Sequence, residues 1–275
     1  MNHDDSILWQ QTGSIGTLTF NRPGVYNAMN REMILMFRDT LRRIPSQPGL
    51  RVLILRGAGK AFISGGDVAL FHKEIATVPT SVKALGDALH EGIVALREAP
   101  FPVIAAVNGP AAGAGVSVAL ACDIAIAAEN ASFNTAYSKI GASPDGGSTW
   151  FLPRAIGARK ALELILLADT LTAGDALSLG LVNRVVPAER LNAEVAALAE
   201  RLAAGPTQAY ARAKRLISQS FHTPIRAHLD DEIECFRQCT LTADFAEGVA
   251  AFVERRPARF SGAEPTPTVT PAVRR

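Results

Sequence analysis

The sequence predicts an α/β fold followed by an all-helical region, and three observations support this. Short continuous apolar runs, such as 52–55 and 103–107, are typical of strands that are buried on both faces. Up to about residue 190 these runs alternate with segments of helical apolar spacing, which favours α/β architecture. Beyond Val185-Val186-Pro187 we find only helical spacing.

The elements of the α/β region follow from local patterns. The run IGTLTF at 15–20 predicts a short strand that ends at a turn signal. Apolar residues spaced three and four apart predict a helix over 31–44, which Pro45 ends. A helix is predicted over much of 80–98, and a strand over 124–127.

The stretch 103–128 is apolar and long enough to span a bilayer. Because it contains Asn108, Pro110, Asp123 and several glycines, we predict instead a strand, a glycine loop, a buried helix and a second strand. The polar, acidic N-terminus shows no signal-peptide pattern. We therefore expect a cytoplasmic protein without a membrane partner.

The later part of the chain carries helix signals only. Thr172 and Asp175 frame a capping-box-like helix start, and leucine and valine spacing predicts a helix from 191. The Pro- and Thr-rich end is typical of a disordered tail. The expected organisation is a core over 1–190, a helical region over 191–260 and a tail over 261–275.

Composition narrows the function classes. Hydrophobic residues make up 48% of the chain, which is typical of a globular protein. The 28 Lys+Arg and 26 Asp+Glu residues give a net charge of +2, which argues against a nucleic-acid partner. The 3 cysteines indicate a reducing compartment. Cys235 and Cys239, one helical turn apart, are expected to be buried thiols rather than metal ligands.

Several catalytic motifs are missing from the sequence. We find no GxGxxG after a strand, no GxxxxGK[ST], no GxSxG and no HExxH. The 5 histidines do not cluster along the chain. These absences weaken the case for a dinucleotide enzyme, a P-loop enzyme, a serine hydrolase and a zinc enzyme.

Two glycine-rich loops at strand exits, 61–67 and 108–115, are the main candidates for chemistry. Glycines let the backbone approach a ligand, and the second loop opens a helix whose N-terminus is positive. Two such loops can direct two N–H groups at one carbonyl oxygen and form an oxyanion hole. The alternative is that the glycines serve only tight turns and close helix packing.

The loops and their flanking segments together resemble the enoyl-CoA hydratase/isomerase (crotonase) superfamily. The matching segments follow the family's order over about residues 7–260: Asn21-Arg22-Pro23, Asn27-Ala28, Ala61-Phe62, Gly65-Gly66-Asp67, 102–109, Gly115, Cys122-Asp123-Ile124, Phe133, 144–149, Leu177, Gly180-Leu181-Val182-Asn183, Glu247-Gly248 and Ala251-Phe252. The resemblance implies a spiral of ββα turns followed by helices that build a homotrimer or a dimer of trimers. It also implies an acyl-CoA thioester substrate, no metal, and no cofactor besides the coenzyme A of the substrate.

The resemblance assigns roles to individual residues. The two oxyanion N–H groups fall on Gly66 and Ala114, and alanine can serve because the donor is main-chain. Substrate-binding positions are expected at Val25, Ser64, Gly65, Asp67, His90 and Tyr137 in the core, and at Phe252 and Arg255, which approach coenzyme A from a neighbouring subunit. Arg22, Arg255 and Arg256 are candidates for phosphate contact, although we expect Arg256 to be a solvated surface charge.

The catalytic carboxylate distinguishes members of the family. Its hydratases use two glutamates, and Ser117 and Tyr137 occupy those positions here. Asp145, in Pro144-Asp145-Gly146-Gly147, matches the catalytic aspartate of the isomerase branch that includes 1,2-epoxyphenylacetyl-CoA isomerase and Δ3,Δ2-enoyl-CoA isomerases. One base that removes and returns a proton suits a double-bond shift. The sequence therefore favours an isomerase over a hydratase. The alternative for Asp145 is a helix N-cap.

Two further interpretations remain open at this level. The position of His90 resembles 4-chlorobenzoyl-CoA dehalogenase, in which an Asp attacks the ring and a His activates water; the alternative is a helix residue near the pocket wall. A crotonase-fold binding protein without catalysis is the second possibility, because both glutamates are missing. The acyl pocket has five candidate lining residues, which are otherwise expected in the core: Phe71, His72, Tyr137, Trp150 and Phe151.

Overall fold

The computed structural model describes residues 5–262, and the chain divides after Glu200 into two compact units. The first unit carries all nine strands of the described residues, arranged in two sheets. No helix within this described range is long and apolar enough to cross a membrane. The predicted tail at 261–275 lies outside the described residues except for Ser261 and Gly262.

The main sheet has six strands in the order β1-β2-β3-β4-β6-β9. β1 pairs antiparallel with β2, and all other neighbours are parallel. The strands are β1 (Ile7–Thr12), β2 (Ile15–Phe20), β3 (Val52–Gly57), β4 (Val103–Val107), β6 (Ile124–Ala128) and β9 (Arg184–Val186). β4 is buried along its whole length, as expected of a parallel strand covered on both faces.

A small second sheet has the order β5-β7-β8. Its strands are β5 (Ala111–Ala112), β7 (Ser132–Asn134) and β8 (Leu171–Thr172). The helices that begin in the first unit are α1 (Arg31–Arg43), α2 (Val68–Lys73), α3 (Val78–Glu98), α4 (Ala114–Ala121), α5 (Ser148–Ile156), α6 (Ala158–Leu167), α7 (Ala173–Leu179) and α8 (Leu191–Ala203). The unit boundary falls within α8.

The core of the first unit is built between the sheet and its helices. Phe20 of β2 packs against Phe37 of α1, with ring centroids 5.6 Å apart, and against Phe62, at 5.9 Å. All three rings are fully buried. α1 packs on α3 where Gly92 leaves room: a Cβ at Gly92 would lie 2.6 Å from the Phe37 ring.

The second unit contains α9 (Thr207–Gln219), α10 (Ile225–Thr240) and α11 (Ala243–Glu254). Arg215 donates a hydrogen bond to the buried Cys235 thiol at 2.8 Å. Cys239 is only half-buried, so the expectation of a second buried thiol is wrong, because Cys239 borders an open apolar groove lined mainly by α11. The buried Asp244 carboxylate accepts hydrogen bonds from Ser261 and Gly262.

Most predicted elements are confirmed. The strands at 15–20, 52–55, 103–107 and 124–127 are present, and so is the strand–loop–helix–strand order within 103–128. The Thr172 capping box has both of its hydrogen bonds. The sequence patterns did not predict β1, the short strands of the second sheet, or α2.

Candidate functional site

The two glycine loops lie directly against each other. Ala112 N–H donates to the Ile63 carbonyl at 2.9 Å, which ties the second loop to the first. Gly65 and Gly113 face each other with φ of +100° and +50°, values that favour glycine. A Cβ at Gly65 would lie 3.2 Å from the Ala112 carbonyl oxygen. The two loops therefore approach this closely because Gly65 and Gly113 have no side chain.

Two main-chain N–H groups, one from each loop, are free to meet a ligand within residues 5–262: those of Gly66 and Ala114. Met29 pairs with the first loop as in a parallel sheet: its N–H donates to the Gly65 carbonyl, and its carbonyl accepts from the Asp67 N–H. The N–H of Gly66, which lies between these two residues, therefore points away from Met29. Ala114 is the first residue of α4, and a first-turn N–H has no partner within its helix. Among the hydrogen bonds within residues 5–262, neither N–H has an acceptor.

Both residues open onto one cavity of about 330 Å³. Its walls come from α1 and its preceding turn, α2, α3, the two glycine loops and the segment 135–145. The lining residues are Met29, Asn30, Arg31, Ile34, Ser64, Gly65, Gly66, Val68, Leu70, Phe71, Val82, Leu85, Gly86, Leu89, Gly113, Ala114, Thr135, Ala136, Tyr137, Lys139, Ile140 and Asp145. Apolar side chains predominate in this set, with the Asp145 carboxylate as its one acidic group.

Asp145 is held by a tyrosine rather than by a helix. The Tyr137 hydroxyl donates a hydrogen bond to Asp145 Oδ1 at 2.6 Å. The residue that caps α5 is Gly147, with no side-chain cap, so the alternative of Asp145 as an N-cap is wrong. In the single chain Asp145 is exposed, and its carboxylate therefore borders the cavity from the solvent side.

The tyrosine itself stays neutral. Burial raises the pKa of Tyr137 well above its ordinary value, and the negative charge of Asp145 and the hydrogen bond to it add to this. A neutral phenol can only donate to the carboxylate. Tyr137 therefore fixes one oxygen of Asp145 and is unable to act as a base near neutral pH.

Two buried serines support the loop that carries Asp145. The Ser117 hydroxyl lies 2.6 Å from the Ser148 hydroxyl and donates to the Asp145 carbonyl at 3.3 Å. Both serines are fully buried, and neither belongs to the cavity lining. The sequence carries no signal for Ser148, because a serine at a helix start is not part of a catalytic pattern.

His90 contacts the same loop from α3. Gly146 N–H donates to His90 Nε2 at 3.2 Å, so this nitrogen is an acceptor. His90 is exposed and is not part of the cavity lining among the described residues. His90 was expected near the pocket wall, and its hydrogen bond to Gly146 holds the segment that bears Asp145.

The remaining predicted residues of the first unit lie beside the first glycine loop. Ser64 and Gly65 line the cavity, whereas Val25 and Asp67 are not in its described lining. Ser64 N–H donates to the Tyr26 carbonyl at 3.1 Å, which places Val25 next to this loop. Asp67 caps α2 and forms an ion pair with Arg22 at 3.0 Å.

That ion pair changes the interpretation of Arg22. One guanidinium nitrogen of Arg22 contacts both Asp67 Oδ2 and the Ala28 carbonyl. Arg22 therefore holds the chain before α1 against the first glycine loop. Its expected phosphate contact would have to compete with this partner.

The other two predicted contacts lie in the second unit. Phe252 is 86% exposed at the end of α11. Arg255 is also exposed and has φ of +56°, as the residue that terminates this helix. Arg256 forms ion pairs with Glu247 and Glu254, at 2.7 and 2.6 Å.

Of the five residues predicted for the acyl pocket, Phe71 and Tyr137 line the cavity. The Trp150 ring instead packs against the Arg154 guanidinium, 3.9 Å from the ring centroid. Phe151 is buried in the core, and His72 is exposed. The sequence did not predict the wall from α3, because local patterns indicate a helix there but not which of its faces borders a cavity.

No group of three or more His, Cys, Asp or Glu side chains suited to a metal ion occurs within the described part of the chain. The polar groups described above at this apolar cavity are the two main-chain N–H donors of Gly66 and Ala114, the Asp145 carboxylate and the Tyr137 phenol.

The parallel sheet, the paired glycine loops and the helical second unit define a crotonase-fold protein. Residues 10–263 match the model of the enoyl-CoA hydratase/isomerase family, and the chain belongs to that family of enzymes. A solved structure of a putative enoyl-CoA hydratase from Streptomyces coelicolor A3(2) superposes with a TM-score of 0.90, at 32% identity over 96% of both chains.

Relatives of different activities are similarly close. A probable enoyl-CoA hydratase from Rhodobacter capsulatus is 36% identical over 94% of this chain and 98% of its own length. The 1,2-epoxyphenylacetyl-CoA isomerase of Escherichia coli is 37% identical over 93% and 98%. 4-Chlorobenzoyl coenzyme A dehalogenase-2 from an Arthrobacter species is 32% identical over 91% of each chain.

Proposed function

We propose that this protein is an acyl-CoA isomerase that shifts a carbon–carbon double bond, with Asp145 as the acid/base. The observation that carries the proposal is the Asp145 carboxylate, fixed by Tyr137, at the same cavity as the unpaired N–H groups of Gly66 and Ala114. The substrate is an enoyl-CoA thioester or a ring-bearing equivalent.

The proposed reaction needs one base and two donors. Asp145 takes a proton from the carbon next to the thioester carbonyl, and the electron pair moves onto the carbonyl oxygen. Gly66 N–H and Ala114 N–H stabilise this enolate oxygen. The double bond then re-forms one position along, and the protonated Asp145 returns the proton to the far carbon. No atom is gained or lost overall.

Hydration is less well supported because it needs a second group to activate water. The two glutamate positions of the family's hydratases carry Ser117 and Tyr137. The Ser117 hydroxyl is buried behind the Asp145 loop. The raised pKa of Tyr137 keeps its phenol protonated. Among the described lining residues, Asp145 is then the one carboxylate available as a base.

We further propose that the helical second unit mediates self-association into a trimer or a pair of trimers, with Phe252 and Arg255 meeting coenzyme A of a neighbouring subunit. α10 exposes four apolar side chains at helical spacing, Ile225, Leu229, Ile233 and Phe236, each more than half exposed in the single chain. The free cysteines suit a reducing compartment such as the cytoplasm.

The decisive experiment compares Asp145→Asn with the wild-type enzyme on 3-enoyl-, 2-enoyl- and ring-bearing acyl-CoA thioesters. Asparagine keeps the shape and can still accept from Tyr137, so acyl-CoA binding is retained. Loss of the base lowers turnover by about 10²- to 10⁴-fold. The matched control is Asp231→Asn on the exposed side of α10. Unchanged turnover of Asp145→Asn would rule out this aspartate as the base.

The same panel separates the alternatives. A dehalogenase would release chloride from 4-chlorobenzoyl-CoA. This thioester belongs in the panel because the Arthrobacter relative is a 4-chlorobenzoyl coenzyme A dehalogenase. His90 argues against it, because its Nε2 is already engaged by Gly146 and lies outside the described cavity lining. A non-catalytic binding protein would bind the thioesters and leave all of them unchanged.

A further inference from the structure

α3 contains two interior glycines, and only one of them has a packing reason. Glycine in the middle of a helix is unfavourable relative to alanine. Position 92 needs glycine despite this cost, because a Cβ there would lie only 2.6 Å from the Phe37 ring. Gly86 has an ordinary helical φ and nothing within 4 Å of an added Cβ. The fold therefore does not need glycine at position 86.

Gly86 lies on the face of α3 that forms the cavity wall. Val82, Leu85 and Leu89 line the cavity on either side of it, at the spacing of one helix face. A side chain at position 86 would extend along that face into the space that the glycine leaves open. The neighbouring walls, Ile34 and Phe71, are apolar as well.

We propose that Gly86 determines the size of the acyl group, and that the preferred substrates carry a bulky, uncharged apolar acyl group larger than a four-carbon chain. This inference rests on the proposed acyl-CoA function. A large apolar acyl group can be either a ring-bearing group or a chain of medium length. Both reach the space beside Gly86, and the experiment distinguishes them.

The test measures binding of unreactive saturated thioesters, so that it does not depend on catalysis. Butyryl-CoA, octanoyl-CoA and phenylacetyl-CoA are titrated calorimetrically into the wild-type protein, Gly86→Leu and Ala84→Leu. Ala84 is exposed on the same helix and is absent from the cavity lining of the described residues, so it is the matched control. The four added carbons at position 86 fill the space that the acyl group would occupy.

We expect Gly86→Leu to weaken binding of octanoyl-CoA, phenylacetyl-CoA or both by at least about tenfold. Butyryl-CoA binding changes less than about twofold, and Ala84→Leu matches the wild type. If only one bulky ligand is weakened, it identifies the ring or the chain as the occupant, and if both are, the space accepts either. In parallel, Gly86→Ala raises the Tm by about 2–4 °C, because alanine favours the helix.

Two outcomes overturn the inference in distinguishable ways. If all three thioesters bind and Gly86→Leu weakens them equally or not at all, Gly86 has no role in selection while the acyl-CoA function stands. If the wild-type protein binds none of them, the acyl-CoA function is refuted and the role of Gly86 with it. A lower Tm for Gly86→Ala would show that the fold itself requires this glycine.

Discussion

The hydrogen bond from Tyr137 to Asp145 makes a quantitative prediction about the proposed base. Tyr137→Phe removes one hydroxyl and keeps the ring, whose tip lies next to Gly113. The lost interaction is a 2.6 Å hydrogen bond to a carboxylate. Because Asp145 is exposed, water replaces this donor, but water does not fix the orientation of the carboxylate.

A hydrogen bond to a charged group contributes about 1.5–3 kcal/mol. If this free energy serves to hold Asp145 in the reacting orientation, its loss lowers kcat by about 10- to 100-fold, since 1.4 kcal/mol corresponds to a factor of ten. KM should change much less, because the cavity walls that bind the acyl group remain.

The assay is steady-state turnover of the best thioester by the wild type, Tyr137→Phe and Tyr210→Phe. Tyr210, in α9 of the second unit, undergoes the same chemical change and should leave kcat unaltered. A kcat for Tyr137→Phe within about threefold of the wild type would refute the positioning role. An increase in KM with unchanged kcat would assign the hydroxyl to substrate binding instead.

The raised pKa of Tyr137 adds an independent stability test. Its pKa in the folded protein lies above the unfolded value of about 10, so the stabilisation is complete below pH 10 and is lost as the pH rises beyond it. At pH 10.5 ionisation in the unfolded chain lowers the free energy of unfolding by about 0.8 kcal/mol. Tyr137→Phe lacks this decrease. Urea denaturation at pH 8 and 10.5 measures the difference, and equal decreases in both proteins would contradict it.

Two other predictions concern the Asp145 loop and the second unit. His90→Leu leaves the buried Gly146 N–H without its acceptor and should lower the free energy of unfolding by about 1–3 kcal/mol, measured by urea denaturation. His90→Gln should recover part of this loss. Equal free energies of unfolding for the two variants would show that this hydrogen bond does not stabilise the protein. Ile233→Glu places a charge in the exposed apolar stripe of α10 and should reduce the mass of the assembly measured by light scattering. The control Asp231→Asn should leave this mass unchanged. An unchanged mass for Ile233→Glu would exclude this stripe from the interface between subunits.

Local patterns predicted the elements that make the site. Apolar runs identified β3 and β4, and the glycines after them identified the two loops, because a backbone that must approach another backbone closely excludes side chains. The resemblance supplied Asp145, Gly66 and Ala114, and the structure brings all three to one cavity. Elements with weak local signals escaped prediction: β1 has only one buried residue, Ile7, and α2 is only six residues long.

Some roles depend on contacts between distant parts of the chain. His90 and Gly146 are 56 residues apart, and so are invisible to any periodicity. The same holds for Arg22, which the resemblance offers as a candidate phosphate contact but which the fold pairs with Asp67. Sequence also gave no reason to distinguish Gly86 from Gly92, since only packing shows that one glycine meets a phenylalanine and the other faces open space.

The sequence by itself thus determined the α/β class, the glycine loops and the family, since these depend on composition, periodicity and motifs along the chain. Only the tertiary structure decided which N–H groups remain unpaired, which side chain holds Asp145, and which apolar residues line the cavity rather than the core. Those properties belong to the space between elements, where the position of each group is determined by the packing of all its neighbours.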